Sequence, residues 1–178
     1  PLRFLPVLRE LRHKYPDINL SIHAGEVDEP NFHVRDTLLL GALRIGHGVN
    51  LITDPETMIR MQHGPYLVEI NLISNLILDY VQNYSQHPFP EYLRTGIPVA
   101  LSTDDRGMWD SNMTDEWFTA VKEFHLSWEE VEKLGRYSLE FAFVPDEVKQ
   151  KRLEGYESEL AQFKAAYGGG DWRHKAAP

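Results

Sequence analysis

The run Ile18-Asn19-Leu20-Ser21-Ile22-His23-Ala24-Gly25-Glu26 decides how this chain folds. Its apolar residues mark a strand over about Leu20 to Ala24. An imidazole and a carboxylate stand together where that strand ends. The pattern recurs twice. Arg44-Ile45-Gly46-His47-Gly48 closes a second apolar run, and Ser102-Thr103-Asp104-Asp105 closes another, Pro98-Val99-Ala100-Leu101. A further strand, Pro65 to Leu72, carries Glu69 and Asn71. Polar groups at the end of every strand are how a parallel α/β barrel assembles a site. His, Glu and Asp together suit metal-assisted hydrolysis, in which imidazole and carboxylate hold a cation and move protons.

Helical signals separate these strands. Leu2, Leu5, Leu8 and Leu11 form one helix face, and Val34 to Leu40 a second, followed by Gly41. Thr53 or Asp54 caps a helix that opens on Pro55, a favoured first position, and stops near Gly64. Pro90 to Thr95 is a short helix ended by Gly96. Thr114 is the expected N-cap for Asp115 to Phe124. Ser127-Trp128-Glu129-Glu130 has the capping-box pattern for a helix to about Phe141. Pro145 to Tyr167 is the last helix, and 168–178 is expected to be a loose tail.

Strands alternating with helices imply parallel pairing through right-handed crossovers. An open doubly wound sheet usually binds at one switch point, whereas polar groups on every strand favour a barrel wall. Four strands cannot close a barrel of eight. The expected fold is therefore α/β: about four parallel strands of a TIM (β/α)₈ barrel, its second half, over residues 1–167, with additional helices toward the C-terminus.

Composition narrows the function. The 178 residues are 42% hydrophobic and 25% charged, with a formal net charge of −9, which argues against nucleic acid as a partner. The absence of cysteine excludes disulfides, thiolate nucleophiles and Cys-based zinc sites. No apolar stretch reaches the roughly 20 residues that span a bilayer, so a membrane partner is not expected. The compartment stays open between cytoplasmic and exported. The chain begins with Pro1, and its natural N-terminus is expected to lie elsewhere.

Each motif also has a plainer reading. His23 could close a strand and Glu26 could be a solvated loop acid, although Gly25 between them lets backbone approach a ligand. His47 could be incidental to a turn, but its flanking glycines leave the imidazole bare, as a general base or a water-orienting group requires. Asp104 and Asp105 could cap a helix. Alternatively they divide the work of binding metal and substrate, with a cation relieving their mutual repulsion. Glu69, inside a strand, needs a partner and can be structural. Ser74-Asn75 can be a turn. His33, His63, His87, His125 and His174 lack convergent context and read as surface or structural.

Taken in order, His-Ala-Gly-Glu, Arg-Ile-Gly-His-Gly and Ser-Thr-Asp-Asp resemble the adenosine and AMP deaminase family over about Asn19 to Val144. The segments from Phe89-Pro90 to Ala100 and from Ser138 to Phe143 look most like its growth-factor-type members and their bacterial relatives. The resemblance implies zinc bound by His23 and Asp104, and Glu26 protonating the purine at N1. It implies that His47 orients and deprotonates the attacking water, that Asp105 hydrogen-bonds N7, and that Gly25 and Gly46 shape the substrate pocket. It implies deamination of adenosine to inosine and ammonia.

Three departures stand out. The family's His-x-His pair does not occur here, so two further zinc ligands are expected from a missing N-terminal half, and this chain alone should be inactive or nearly so. Its open edges should find that half or another copy. The family's Glu-x-Cys-Pro-x-Ser-Asn appears as Glu69-Ile70-Asn71-Leu72-Ile73-Ser74-Asn75. Arg106 stands where Pro usually follows the Asp pair, which opens the substrate to adenine, AMP or a modified nucleoside. A non-catalytic, growth-factor-like binding barrel and an unrelated metallohydrolase are the rivals of other classes.

Overall fold

The computed structural model describes residues 1–27 and 32–168. Among these the helices are α1 (Leu5–Lys14), α2 (His33–Leu39), α3 (Pro55–His63), α4 (Leu72–Ile77), α5 (Phe89–Thr95), α6 (Arg106–Trp109), α7 (Met113–Phe124), α8 (Trp128–Glu140) and α9 (Asp146–Tyr167). The strands are β1 (Ser21–Ala24), β2 (Arg44–His47), β3 (Leu67–Ile70) and β4 (Val99–Leu101). They form one parallel sheet in the order β1-β2-β3-β4. Sequential order with helical crossovers is the expected barrel-wall topology. Among the described residues β1 and β4 are the sheet's two edges.

Register divides the sheet into two faces, because side chains alternate along each strand. Ile22, Ile45, Val68 and Val99 lie side by side, and Ile70 pairs with Leu101. This face is apolar and forms the core with Leu38, Met61, Phe89, Tyr92 and Leu93 from the helices. The other face carries His23, Gly46, Glu69 and Ala100 in one row, with Ser21 and Arg44 in the row before. Here Glu69 finds its partner: Arg44 Nε donates at 2.6 Å and Ser21 Oγ at 3.1 Å. Arg44 also donates to the Phe141 carbonyl at 3.1 Å. Glu69 is therefore held in a polar network between the sheet and the end of α8.

Several helix boundaries differ from expectation for identifiable reasons. Asp54, not Thr53, caps α3, accepting from the Thr57 amide at 3.1 Å and its hydroxyl at 2.6 Å. The cap of α7 is Asn112, which forms a capping box with Asp115 and displaces Thr114 into the first turn. Ser127 and Glu130 form the box expected for α8. The third strand stops at Ile70 and Leu72 begins α4, so Ser74 and Asn75 lie on a buried helix rather than a turn. The chain divides into two compact units, Pro1–Phe141 and Ala142–Pro178, and the second contains α9. The expected loose tail lies, beyond Gly168, outside the described residues. No helix among the described residues is long and apolar enough to cross a membrane.

Candidate active site

The polar strand ends converge. β1 presents His23, whose imidazole remains 61% exposed. Its register partner is Gly46, and a Cβ there would stand 2.5 Å from His23 Cδ2. Glycine at 46 is thus what allows the His23 ring to lie across β2. That strand ends at His47, fully buried and in the left-handed region with φ 69°. Such a conformation is uncommon for a residue with a side chain and tends to persist where the surroundings over-determine it. The two imidazoles meet edge to face with centroids 4.6 Å apart.

Glu26 lies between them. One oxygen is 3.7 Å from His23 Nδ1 and the other 3.4 Å from His47 Nε2. The chain returns toward the site through Gly25, at φ 67°, where a Cβ would stand 2.8 Å from Val34 Cγ2. The ligand atoms of His23, Glu26 and His47 all lie within 4.8 Å of one another. Among the described residues His47 Nε2 has no hydrogen-bond partner, so a buried polar atom faces the centre of the cluster. This donor set fits a divalent cation with a water beside it.

Asp104, at the end of β4, also adopts a left-handed backbone (φ 51°). One carboxylate oxygen accepts from Ser74 Oγ at 2.7 Å. Asp104 is not within the 4.8 Å group formed by the other three, although its charge acts on His47. Asp105 is exposed and occupies the N-cap of α6 without a capping hydrogen bond from its side chain. The plain capping role for its carboxylate is therefore not used.

The far side of His47 is built by Asn71, Asn75 and His87, to which the sequence assigns no role beside this histidine. Asn71 Nδ2 lies 3.0 Å and Asn75 Nδ2 2.9 Å from His47 Nδ1. Asn75 Oδ1 is 3.1 Å from His87 Nε2, and the Phe89 amide donates to His87 Nδ1 at 3.1 Å. Asn71 stands at the N-cap of α4, yet its side chain makes no capping bond. Fully buried Glu116, from α7, caps that helix instead. Its two oxygens accept from the Leu72 amide at 3.1 Å and the Ile73 amide at 3.2 Å. Capping from a distance leaves the Asn71 amide beside His47.

Burial lowers the His47 pKa, with the Glu26 carboxylate opposing it and His23 reinforcing it. His87 is pushed down to about 4, chiefly by burial. Burial pushes Glu116 up to about 7 against its two amide donors, with Asp104 and Asp115 adding to the rise. The raised Glu116 value makes its contribution to stability fall as pH climbs from 4.5 to about 7. The depressed His87 value acts in the opposite direction between about 4 and 6.5. The stability of wild type minus that of Glu116→Gln is therefore expected to shrink by about 3 kcal/mol across pH 4.5 to 7. Urea unfolding at a series of pH values reads this difference, and a constant difference would contradict it.

The sequence and the architecture have counterparts. A family model described as adenosine deaminase matches residues 11–158. An adenosine deaminase of Enterococcus faecalis is 34% identical over 133 residues, covering 74% of this chain and 39% of that protein. The Arabidopsis ADAL structure in complex with IMP superposes with a TM-score of 0.74 at 27% identity, covering 89% of this chain and 45% of that one. A zinc-bound amidohydrolase from Burkholderia ambifaria shares the fold, with a TM-score of 0.83 at 20% identity over 92% of this chain and 45% of that one. The chain spans less than half the length of each of these proteins. With its three motifs on the strand ends where such a site is built, and the family model covering most of its length, the chain belongs to the adenosine deaminase family.

Proposed function

We propose that this chain forms one side of a site that hydrolyses the 6-amino group of adenosine, giving inosine and ammonia. The observation that carries the reading is the convergence of His23, Glu26 and His47 around His47 Nε2, a buried nitrogen with no hydrogen bond among the described residues. His23 and Asp104 are this chain's candidate ligands for Zn²⁺. When bound, that ion supplies a Lewis acid that makes water acidic near neutral pH. The remaining work falls to side chains. His47 orients the water toward C6. Glu26 takes a water proton and delivers it to N1 as the C6–O bond forms. The remaining proton, on the new C6 hydroxyl, then passes to the amino nitrogen, the C6–N bond breaks, and ammonia leaves as the C6 carbonyl forms. Asp105, exposed beside the strand ends, is the candidate hydrogen-bond partner of purine N7, and Gly25 brings backbone to the pocket edge.

A second substrate reading has its own support. Arg106 follows Asp105 directly and is exposed, and the Arabidopsis relative with 27% identity is a complex with a nucleoside monophosphate. A purine monophosphate would place an anion within the class of ligands that an arginine selects. Zinc-supplemented turnover of adenosine, AMP and adenine, followed by the ultraviolet change, separates the readings. Adenosine is the expected substrate once a segment carrying the family's His-x-His pair is supplied, and the 178 residues alone are expected to be nearly inactive. Preference for AMP would favour the second reading, and no deamination of any of the three with that segment and zinc present would remove both.

A further inference from the structure

The hydrogen bonds behind His47 have a direction, because one end of the chain is a backbone amide that can only donate. The Phe89 N–H points at His87 Nδ1, 3.1 Å away. His87 Nδ1 is therefore unprotonated, and the single proton of this buried, neutral imidazole sits on Nε2. Turning the ring over would place carbon where both nitrogens now find partners. His87 Nε2 then donates to Asn75 Oδ1 at 3.1 Å, which fixes the Asn75 amide with its NH₂ toward His47. That NH₂ lies 2.9 Å from His47 Nδ1 and donates to it. Asn71 also offers its NH₂ at 3.0 Å, but among the described residues its own oxygen has no partner to hold the amide in either sense. Asn75 is the fixed member of the pair.

From this geometry we infer that a buried relay from the Phe89 amide through His87 and Asn75 holds neutral His47 with its proton on Nε2. The inference rests on the site reading above and deepens it. His47 meets the reacting water as a hydrogen-bond donor, not as a base, because its free lone pair is turned away and already occupied. The lone pair available to a departing water proton belongs to Glu26, 3.4 Å from His47 Nε2. His87 and Asn75 act through His47 and are positioning residues. The expectation that His47 deprotonates the water gives way to one in which it aims the water and Glu26 takes the proton.

Nitrogen-15 spectroscopy of histidine-labelled protein at mildly alkaline pH tests this without reference to activity. The expected result for unaltered protein is an unprotonated Nδ1 and a protonated Nε2 at His47. Asn75→Asp replaces the donor with an acceptor and should exchange the two signals. His87→Phe frees the Asn75 amide and should give a mixture of tautomers, whereas His87→Gln, which can still donate to Asn75, should restore one. The two His87 variants carry the test if Asn75→Asp does not fold. In protein that turns over substrate, His87→Phe should lower kcat at unchanged zinc content and His87→Gln should recover it. A protonated Nδ1 in unaltered protein, or a His47 tautomer indifferent to all three substitutions, would overturn the inference. Protein that shows the expected tautomer but deaminates no 6-aminopurine would keep the relay and sink the catalytic reading instead.

Discussion

In zinc-loaded protein that also holds the family's His-x-His pair, Glu26→Gln is expected to reduce deamination by about 10³-fold, equivalent to about 4 kcal/mol of barrier, while leaving zinc content intact. Glu26 is the carboxylate that reaches both imidazoles, at 3.7 Å and 3.4 Å. Its side chain is 22% exposed, so it is accessible to substrate yet shielded enough for a proton to be passed rather than lost to solvent. Glutamine preserves the shape and one acceptor oxygen but cannot take up a proton. If His47 presents Nε2–H, no second base stands close enough to replace the lost carboxylate among His23, Glu26 and His47. Metal content by elemental analysis and turnover by absorbance are read on the same preparation. Near-normal turnover would remove Glu26 from proton transfer. Loss of metal together with activity would instead make Glu26 a ligand, as its place in the 4.8 Å cluster permits.

The difference between what could and could not be read in the sequence lies in how far each residue's role depends on distant chain. The strands were legible because short apolar runs end in His or Asp with glycine nearby, and both signals are local. The need for Gly46 beneath His23 arises across a strand pair, from the register His23 to Gly46. Asn71 carries the side chain of a helix cap but leaves capping to Glu116, 45 residues ahead in α7. No local pattern announces that exchange. His87 lies outside every motif, and only the packing of α4 against the turn before α5 brings it to Asn75. The Glu69-to-Asn75 segment was recognisable as a variant family motif, yet reading it as strand followed by turn hid that Ser74 and Asn75 project from one helix toward Asp104 and His47. Thr114 was misplaced as a cap for a simpler reason: Asn112 also satisfies the pattern, and Asp115 completes the reciprocal bond with it.

Asp104→Ala is expected to strip zinc from the protein, and Asp104→Asn to weaken zinc binding by more than about 100-fold. The pair of substitutions separates charge from structure. Asp104 sits at φ 51° and accepts from the Ser74 hydroxyl at 2.7 Å. Alanine loses that acceptor and tolerates the left-handed backbone less well, so part of its effect is structural. Asparagine is at ease in that conformation and retains an oxygen for Ser74, but it sets an uncharged NH₂ where the second oxygen would face a cation. With one oxygen committed to Ser74, the other is available to a cation, and a serine that fixes the carboxylate is the kind of support that ligands in metal sites generally have. Titration with Zn²⁺ against a competing chelator measures the loss in each variant, and thermal unfolding without metal measures the structural part. Undiminished affinity in Asp104→Asn would assign the metal to His23, Glu26 and His47, which already lie within 4.8 Å of one another. In that case Glu26→Gln would be the substitution that releases zinc. The two variants therefore have opposite metal contents under the two ligand sets, and a single pair of measurements decides between them.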